Sequence, residues 1–311
     1  MTVYAWGWPR RFPPMSEPEP RHFQVEPGTR VLGHCYWQPD RGSRPLLLGL
    51  HGLEASSSAH YMQGLARKAY ARGFNVVLLN QRNCGGTEAL CPGLYHSGLT
   101  ADPVHVSEEV VATEGINRVV IAGYSLGGNL ALKLAGEYGN APPAQLRAVC
   151  AVSPVIEVGH CVDALDRRTN IVYQLNFVRG LRARMRRKGL THPGLFDLRR
   201  LAGVWTVRTF DDTYTAPFFG FAGATDYYHR ASAMRVVDRI TVPSLIITAE
   251  DDPFVPVDQF RNPKVTSNPN ITLTVTKHGG HCAFVGPATA ESDGYWAEDQ
   301  IVSFAAQACG I

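Results

Sequence analysis

The chain has 311 residues, 45% apolar and 18% charged, which supports a large core and argues against disorder. A formal net charge of only +3 argues against nucleic acid as a partner and against a global pull toward membranes. The seven cysteines, Cys35 to Cys309, contain no C-x-x-C pair and no regular framework, so reduced thiols are expected rather than a zinc knuckle or a disulfide scaffold.

Residues 1–21 are proline-rich and carry Trp6, Trp8 and Phe12. They read as an arm laid over the domain surface. Pro9, Pro13 and Pro14 interrupt any signal-peptide h-region, and no run approaches the ~20 apolar residues of a membrane span, so a soluble, cytoplasmic protein is expected. Extended segments follow at His22–Glu26 and Arg30–Trp37, with Pro27-Gly28 as the turn. Leu46–Leu50 is a continuous apolar run ending at His51-Gly52, and three more such runs lie at Val76–Leu79, Val119–Ala122 and Ala148–Val152. Runs of this kind fit strands buried on both faces of a parallel sheet. Between them the pattern is helical: Ala59–Arg72, Val104–Glu114 opened by Asp102-Pro103, and Leu126–Tyr138 with leucines at 126, 130 and 134.

The alternation stops near Ser153-Pro154 and resumes at Val242–Thr248, followed by a strand at Ile271–Thr276 and a closing helix from about Thr289 to Gln307. The expected architecture is α/β: a mostly parallel, doubly wound sheet with right-handed crossovers and a helical cap insertion. The expected division is an arm at 1–21, a core formed by 22–154 and 238–311, and a cap at 155–237.

Gly123-Tyr124-Ser125-Leu126-Gly127 matches G-x-S-x-G between an expected strand and an expected helix. That context marks the strained strand-to-helix turn of the α/β-hydrolase fold, with Ser125 as nucleophile at the positive end of the helix dipole. Side chains two residues either side would clash, hence the glycines. In this fold the acid and then the histidine follow along the chain. Glu250, Asp251 and Asp252 all follow the strand at 245–248; the D-x-x-V-P pattern of Asp252–Pro256 selects Asp252, leaving Asp251 as a turn acid. After the last strand, His278 and His281 compete. The Gly279-Gly280 pair, which lets the backbone swing the next residue inward, favours His281. Metal binding by His-x-x-His is set aside for want of a third ligand, and no cofactor is expected. The backbone amides of Leu126 and, in the loop after the first buried strand, Leu53 are the expected oxyanion donors. His51 reads as structural.

Several short stretches together resemble the YheT-like branch of the α/β hydrolases, which includes the plant embryogenesis-associated hydrolases. They are His51-Gly52-Leu53-Glu54, Asn80–Gly86, Leu94–Gly98, Gly123–Asn129, Thr215-Ala216-Pro217, Gly220-Phe221, Asp226-Tyr227-Tyr228, and Asp252-Pro253 with Gly279-Gly280-His281. The resemblance implies a Ser125–Asp252–His281 triad and esterase or lipase-like activity, with some members acting on phospholipids. The chain departs from that branch before residue 30, where Pro27-Gly28-Thr29 replaces its usual Asp-Gly.

Residues 155–240 carry fourteen Lys/Arg and eight Asp/Glu, so they are +6 while the remainder is −3. Arg179, Arg182, Arg184, Arg186, Arg187 and Lys188 fall in a stretch without an acid. A solvated helix face is the favoured reading of that run, ahead of peripheral membrane contact, because it shows no clean apolar stripe. Phe218, Phe219, Phe221, Tyr227 and Tyr228 are expected mainly to pack the cap, with one or two lining an acyl pocket. The substrate expected is a small ester with a short or medium acyl chain, or a lipid. A thioesterase or phospholipid acyl hydrolase using the basic cap is the alternative, and an inactive binding protein on the same fold is the alternative of another class.

Overall fold

In the computed structural model, residues 10, 12, 14–289 and 292–311 are described. The strands are β1 (Glu19–Glu26), β2 (Thr29–Tyr36), β3 (Leu46–Leu50), β4 (Asn75–Asn80), β5 (Val119–Tyr124), β6 (Leu146–Val152), β7 (Ser244–Ala249) and β8 (Ile271–Thr276). They form one sheet in the order β1-β2-β4-β3-β5-β6-β7-β8. β2 runs antiparallel to β1 and β4; every pairing from β4 to β8 is parallel. The four continuous apolar runs are β3, β4, β5 and β6, at the centre, and their side chains alternate between two cores. Leu46, Leu48 and Leu50 enter one, and Leu47 with Val76 and Leu78 enters the other.

The longer helices are α1 (His60–Ala71), α2 (Ala101–Glu114), α3 (Leu126–Tyr138), α4 (Val158–Leu165), α5 (Ile171–Thr191), α6 (Ala224–Ala231) and α7 (Trp296–Cys309). α1 and α7 cover one face of the sheet, and α2 and α3 the other. α4, α5 and α6 all lie between β6 and β7, in the stretch where the alternation breaks off. Their buried residues join the α2–α3 core.

Three boundaries differ from expectation. β1 begins at Glu19, inside the stretch read as an arm, because an edge strand accommodates Pro20 and a polar outer row that carry no strand signal. α7 begins at Trp296 instead of Thr289, after a bridge between Val285 and Tyr295 in a segment punctuated by Gly286, Pro287 and Gly294. Asp102 does not cap α2. It sits in the first turn and takes a bidentate pair from Arg82, at 2.6 and 2.7 Å.

Trp6 and Trp8 lie outside the described residues, and Arg10 is held against α7. Its guanidinium pairs with Glu298 of α7 at 2.6 Å and lies 3.5 Å from the centre of the Tyr295 ring. Phe12 lies under Arg10 and Arg67. All seven cysteines are free.

Candidate active site

β5 runs straight into α3, and Ser125 is the single residue between them, at φ +54° and ψ −115°. That left-handed backbone is costly for a residue with a Cβ and persists only where the surroundings impose it. The close approach of the chain to itself imposes it here. A Cβ at Gly123 would lie 2.1 Å from the Gly127 carbonyl oxygen, and one at Gly127 would lie 2.3 Å from the Leu50 carbonyl oxygen. The buried side chain of Ser125 therefore projects from the carboxyl edge of the sheet.

Asp252 and His281 follow β7 and β8 at the same edge. The Asp252 side chain is wholly buried. Its Oδ1 accepts from the amides of Phe254 (3.2 Å) and Val255 (2.9 Å), and its Oδ2 lies 2.9 Å from His281 Nδ1. Both carboxylate oxygens are thus fixed, and the imidazole is oriented through Nδ1. Burial works against a charged His281. The Cys282 sulfur and the Asp252 carboxylate more than offset it, and the imidazole is held above its ordinary value. The neighbouring Asp251 has a different task. Its Oδ1 accepts from the amides of Gly279 (2.8 Å) and Gly280 (2.7 Å), pinning the turn that delivers His281. His278 is largely exposed and faces Asp251 at 3.5 Å.

The histidine loop meets the serine turn at the end of β6. The Val152 carbonyl accepts from the Ser125 amide at 2.9 Å and from the Cys282 thiol at 3.8 Å. Phe254, whose ring centre lies 4.1 Å from that of His281, lines the same cavity as Ser125.

Leu53 and Leu126 both border this cavity. Among the described residues neither amide donates to a protein acceptor, whereas the flanking Gly52 and Glu54 amides donate to Tyr61 and Tyr95 hydroxyls. Glu54 is itself left-handed, at φ +56°. His51 is fully buried with both ring nitrogens engaged: Nδ1 against the Gly52 carbonyl (2.8 Å) and Nε2 accepting from the Gln81 amide (3.1 Å). Burial pushes its pKa down to about 4, so it stays neutral and ties the β3 loop to the β4 loop.

The rest of the cavity wall comes largely from the β6–β7 segment and is mostly apolar, with Val158, Phe177, Phe210 and Tyr228 among its residues. Asn129, in the first turns of α3, bonds the Ser97 and Ala231 carbonyls and the Ala233 amide, and Ser97 in turn bonds the Tyr227 hydroxyl at 2.7 Å. Two charged groups in the wall were not placed there by sequence reasoning: one went unnamed, and the other was read as part of a solvated face. Asp211 accepts from Thr215 and Tyr228 hydroxyls, each at 2.7 Å, and burial raises its carboxyl to about 6. It opens a π-helical turn, Asp211–Thr215, a local irregularity that is common at functional sites. No motif surrounds it, so only the fold could reveal it.

The second is Arg184, which corrects the reading of the basic run as a solvated face. Arg184 and Lys188 are buried. Arg184 Nη1 pairs with Glu54 Oε1 at 2.8 Å, and Lys188 Nζ donates to Asn83 Oδ1 (2.7 Å), to the Glu88 carbonyl (3.0 Å) and to the Cys91 carbonyl. Only Arg179, Arg186 and Arg187 of the run are exposed, and Arg187 pairs with Glu88. The spacing of 184 and 188 places them on the side of α5 that also carries Phe177 and Leu181, a stripe legible once the two cations are counted as inward.

A family model described as the alpha/beta hydrolase fold matches residues 45–287. Over 260 residues, 83% of this chain, the sequence is 34% identical to a protein of Escherichia coli named "Putative esterase YheT", covering 75% of that protein. It is 28% identical to the mouse phospholipase ABHD3 over 79% of this chain but only 60% of that protein. Among solved structures, the Pyrococcus furiosus esterase Pf2001 superposes with a TM-score of 0.59 at 17% identity, covering 96% of this chain and 98% of that one.

Proposed function

Because this chain belongs to the α/β-hydrolase family and is a carboxylic ester hydrolase of the esterase and lipase type, we propose that Ser125, His281 and Asp252 carry out the hydrolysis through an acyl-enzyme. The observation that carries this reading is the 2.9 Å bond between the wholly buried Asp252 side chain and His281 at the sheet edge where Ser125 is held at φ +54°.

In this mechanism His281, with Nδ1 bound to Asp252, takes the Ser125 proton through Nε2 as the hydroxyl attacks the ester carbonyl. Asp252 fixes the tautomer and stabilises the imidazolium. The oxyanion of the tetrahedral intermediate accepts from the amides of Leu53 and Leu126, neither of which donates to a protein acceptor among the described residues. His281 returns the proton to the leaving alcohol. Water, deprotonated in turn by His281, then releases the acid. The segment between β6 and β7 acts as a cap, and its apolar wall holds the acyl chain, which suits short to medium chains and the acyl arms of lipids.

The test is turnover of p-nitrophenyl acetate, butyrate, octanoate and palmitate by wild type and Ser125→Ala, with fluorophosphonate labelling. Wild type should hydrolyse at least the shorter esters and label at Ser125; the variant should lose on the order of 10⁴-fold or more in kcat. Equal turnover by the two proteins, or no label on Ser125, would remove the serine from the mechanism.

A further inference from the structure

Helix α5 has two sides of different character. Phe177, Leu181, Arg184 and Lys188 face inward, and two of them, Phe177 and Arg184, line the cavity that holds Ser125. At 3.6 residues per turn, Ile171, Val172, Leu175 and Leu190 share roughly one third of the circumference on the opposite side with Arg179, Arg182 and Arg186. These aliphatics stand in water: Val172 is 68% and Leu190 81% exposed. Trp205, 65% exposed, extends the same face, for the Arg182 guanidinium lies 5.4 Å from its ring centre.

The exposure is concentrated in one stretch of the chain and is not a general property of the surface. Of the eight large hydrophobics exposed among the described residues, seven fall between 171 and 218. The charge on this face has one sign. α5 contains no acid, and the nearby acids Asp163, Asp166 and Asp197 are already paired with Arg208 or Arg199. Exposed aliphatics and a tryptophan interleaved with unopposed arginines are the composition of a helix that lies in a headgroup layer, apolar groups inserted and cations on lipid phosphates.

We propose that the outer face of α5, with Trp205, docks this protein peripherally on bilayers that contain anionic lipid. The occupant is set by charge: no carboxylate among the described residues pairs with Arg179, Arg182 or Arg186, so a neutral surface leaves their charges uncompensated, and an anionic one satisfies them while taking up the aliphatics. Each arginine near such a surface strengthens binding, and salt weakens it. Docking places the lipid interface against the helix whose other side walls the cavity, so acyl substrates are drawn from the surface on which the protein sits.

The binding does not require the chemistry, so it is measured on the full chain carrying Ser125→Ala, by co-sedimentation with vesicles of phosphatidylcholine alone or mixed in equal parts with phosphatidylglycerol. The expected result is at least ~10-fold tighter binding to the anionic vesicles, lost as salt rises. Arg179→Glu with Arg186→Glu should weaken that binding by ~30-fold or more, and Val172→Ser with Leu175→Ser should weaken it on both vesicles. In the active background both pairs should hydrolyse p-nitrophenyl butyrate as wild type does, since none of the four residues borders the cavity. Equal or absent binding to the two vesicle types, or an undiminished charge-reversal variant, overturns the proposal. Should a variant fail to fold, the salt titration of the unaltered face decides: an anionic preference that survives high salt overturns it equally.

Discussion

Replacing Arg184 with methionine removes one half of a buried ion pair and leaves Glu54 behind. The two side chains are 5% and 12% exposed and 2.8 Å apart, and the guanidinium also lies 4.6 Å from the Tyr95 ring centre. Burial already raises the Glu54 carboxyl above its ordinary value, with Arg184 opposing that rise. Stranding the carboxylate should cost about 3–5 kcal/mol. An unfolding entropy of roughly 2.1 cal/mol/K per residue makes that a Tm lower by roughly 5–8 °C for a chain of this length. Glu54 follows Leu53 and occupies a left-handed turn, so its release frees the proposed oxyanion amide to move. Loss of one such donor costs ~10²–10³ in rate, so kcat on p-nitrophenyl butyrate should fall between ~10- and ~1000-fold, measured well below the new Tm. Adding Glu54→Gln should recover part of the stability, because no charge is then left unpaired, without restoring kcat. A Tm unchanged to within about 1 °C would show that the pair is solvated. A lowered Tm with unchanged kcat would sever the pair from the oxyanion turn.

Two further outcomes test the acid and the base. Asp252→Asn should lower kcat by ~10⁴-fold by favouring the wrong imidazole tautomer, while Asp251→Asn should stay within ~10-fold of wild type, because the amide oxygen can still accept from Gly279 and Gly280. The reverse ranking would exchange their roles. The base must be neutral, and its pKa lies above 6.5, so kcat/KM should fall as pH drops through a limb above 6.5. An acid limb below 6.5 in the wild-type pH–rate profile would contradict that environment for His281.

The positions of Ser125, Asp252 and His281 were legible because each follows a strand at one edge of the sheet, and glycines that tolerate no Cβ flank Ser125 and precede His281. Gly127 illustrates the constraint: no Cβ fits against the Leu50 carbonyl, so the motif is a record of a contact. The strands at the centre of the sheet were legible for a similar reason, burial on both faces. Contacts between distant segments left no such record. Nothing local to Arg184 names Glu54, and nothing local to Lys188 names Asn83, because the sheet topology, and not spacing along the chain, brings each pair together. A solvated face at the basic run implies that joint replacement of Arg184, Arg186 and Arg187 leaves turnover of neutral esters nearly unchanged. The burial of Arg184 reverses that expectation.

The same basic run therefore acts in two dielectric environments, and that difference can be measured. Arg184 and Lys188 are enclosed with their partners, where bulk salt screens poorly. Arg179 and Arg186 stand in water, where a Debye length of about 8 Å at physiological ionic strength limits their reach. Raising salt should then leave the anchoring of α5 to the β3 and β4 loops intact while releasing its outer face from anionic surfaces. A single helix thus separates two roles by which way each cation points. Arginines as close in sequence as Arg182, Arg184 and Arg186 cannot be assigned to one or the other until the inward stripe of Phe177, Leu181, Arg184 and Lys188 has been fixed.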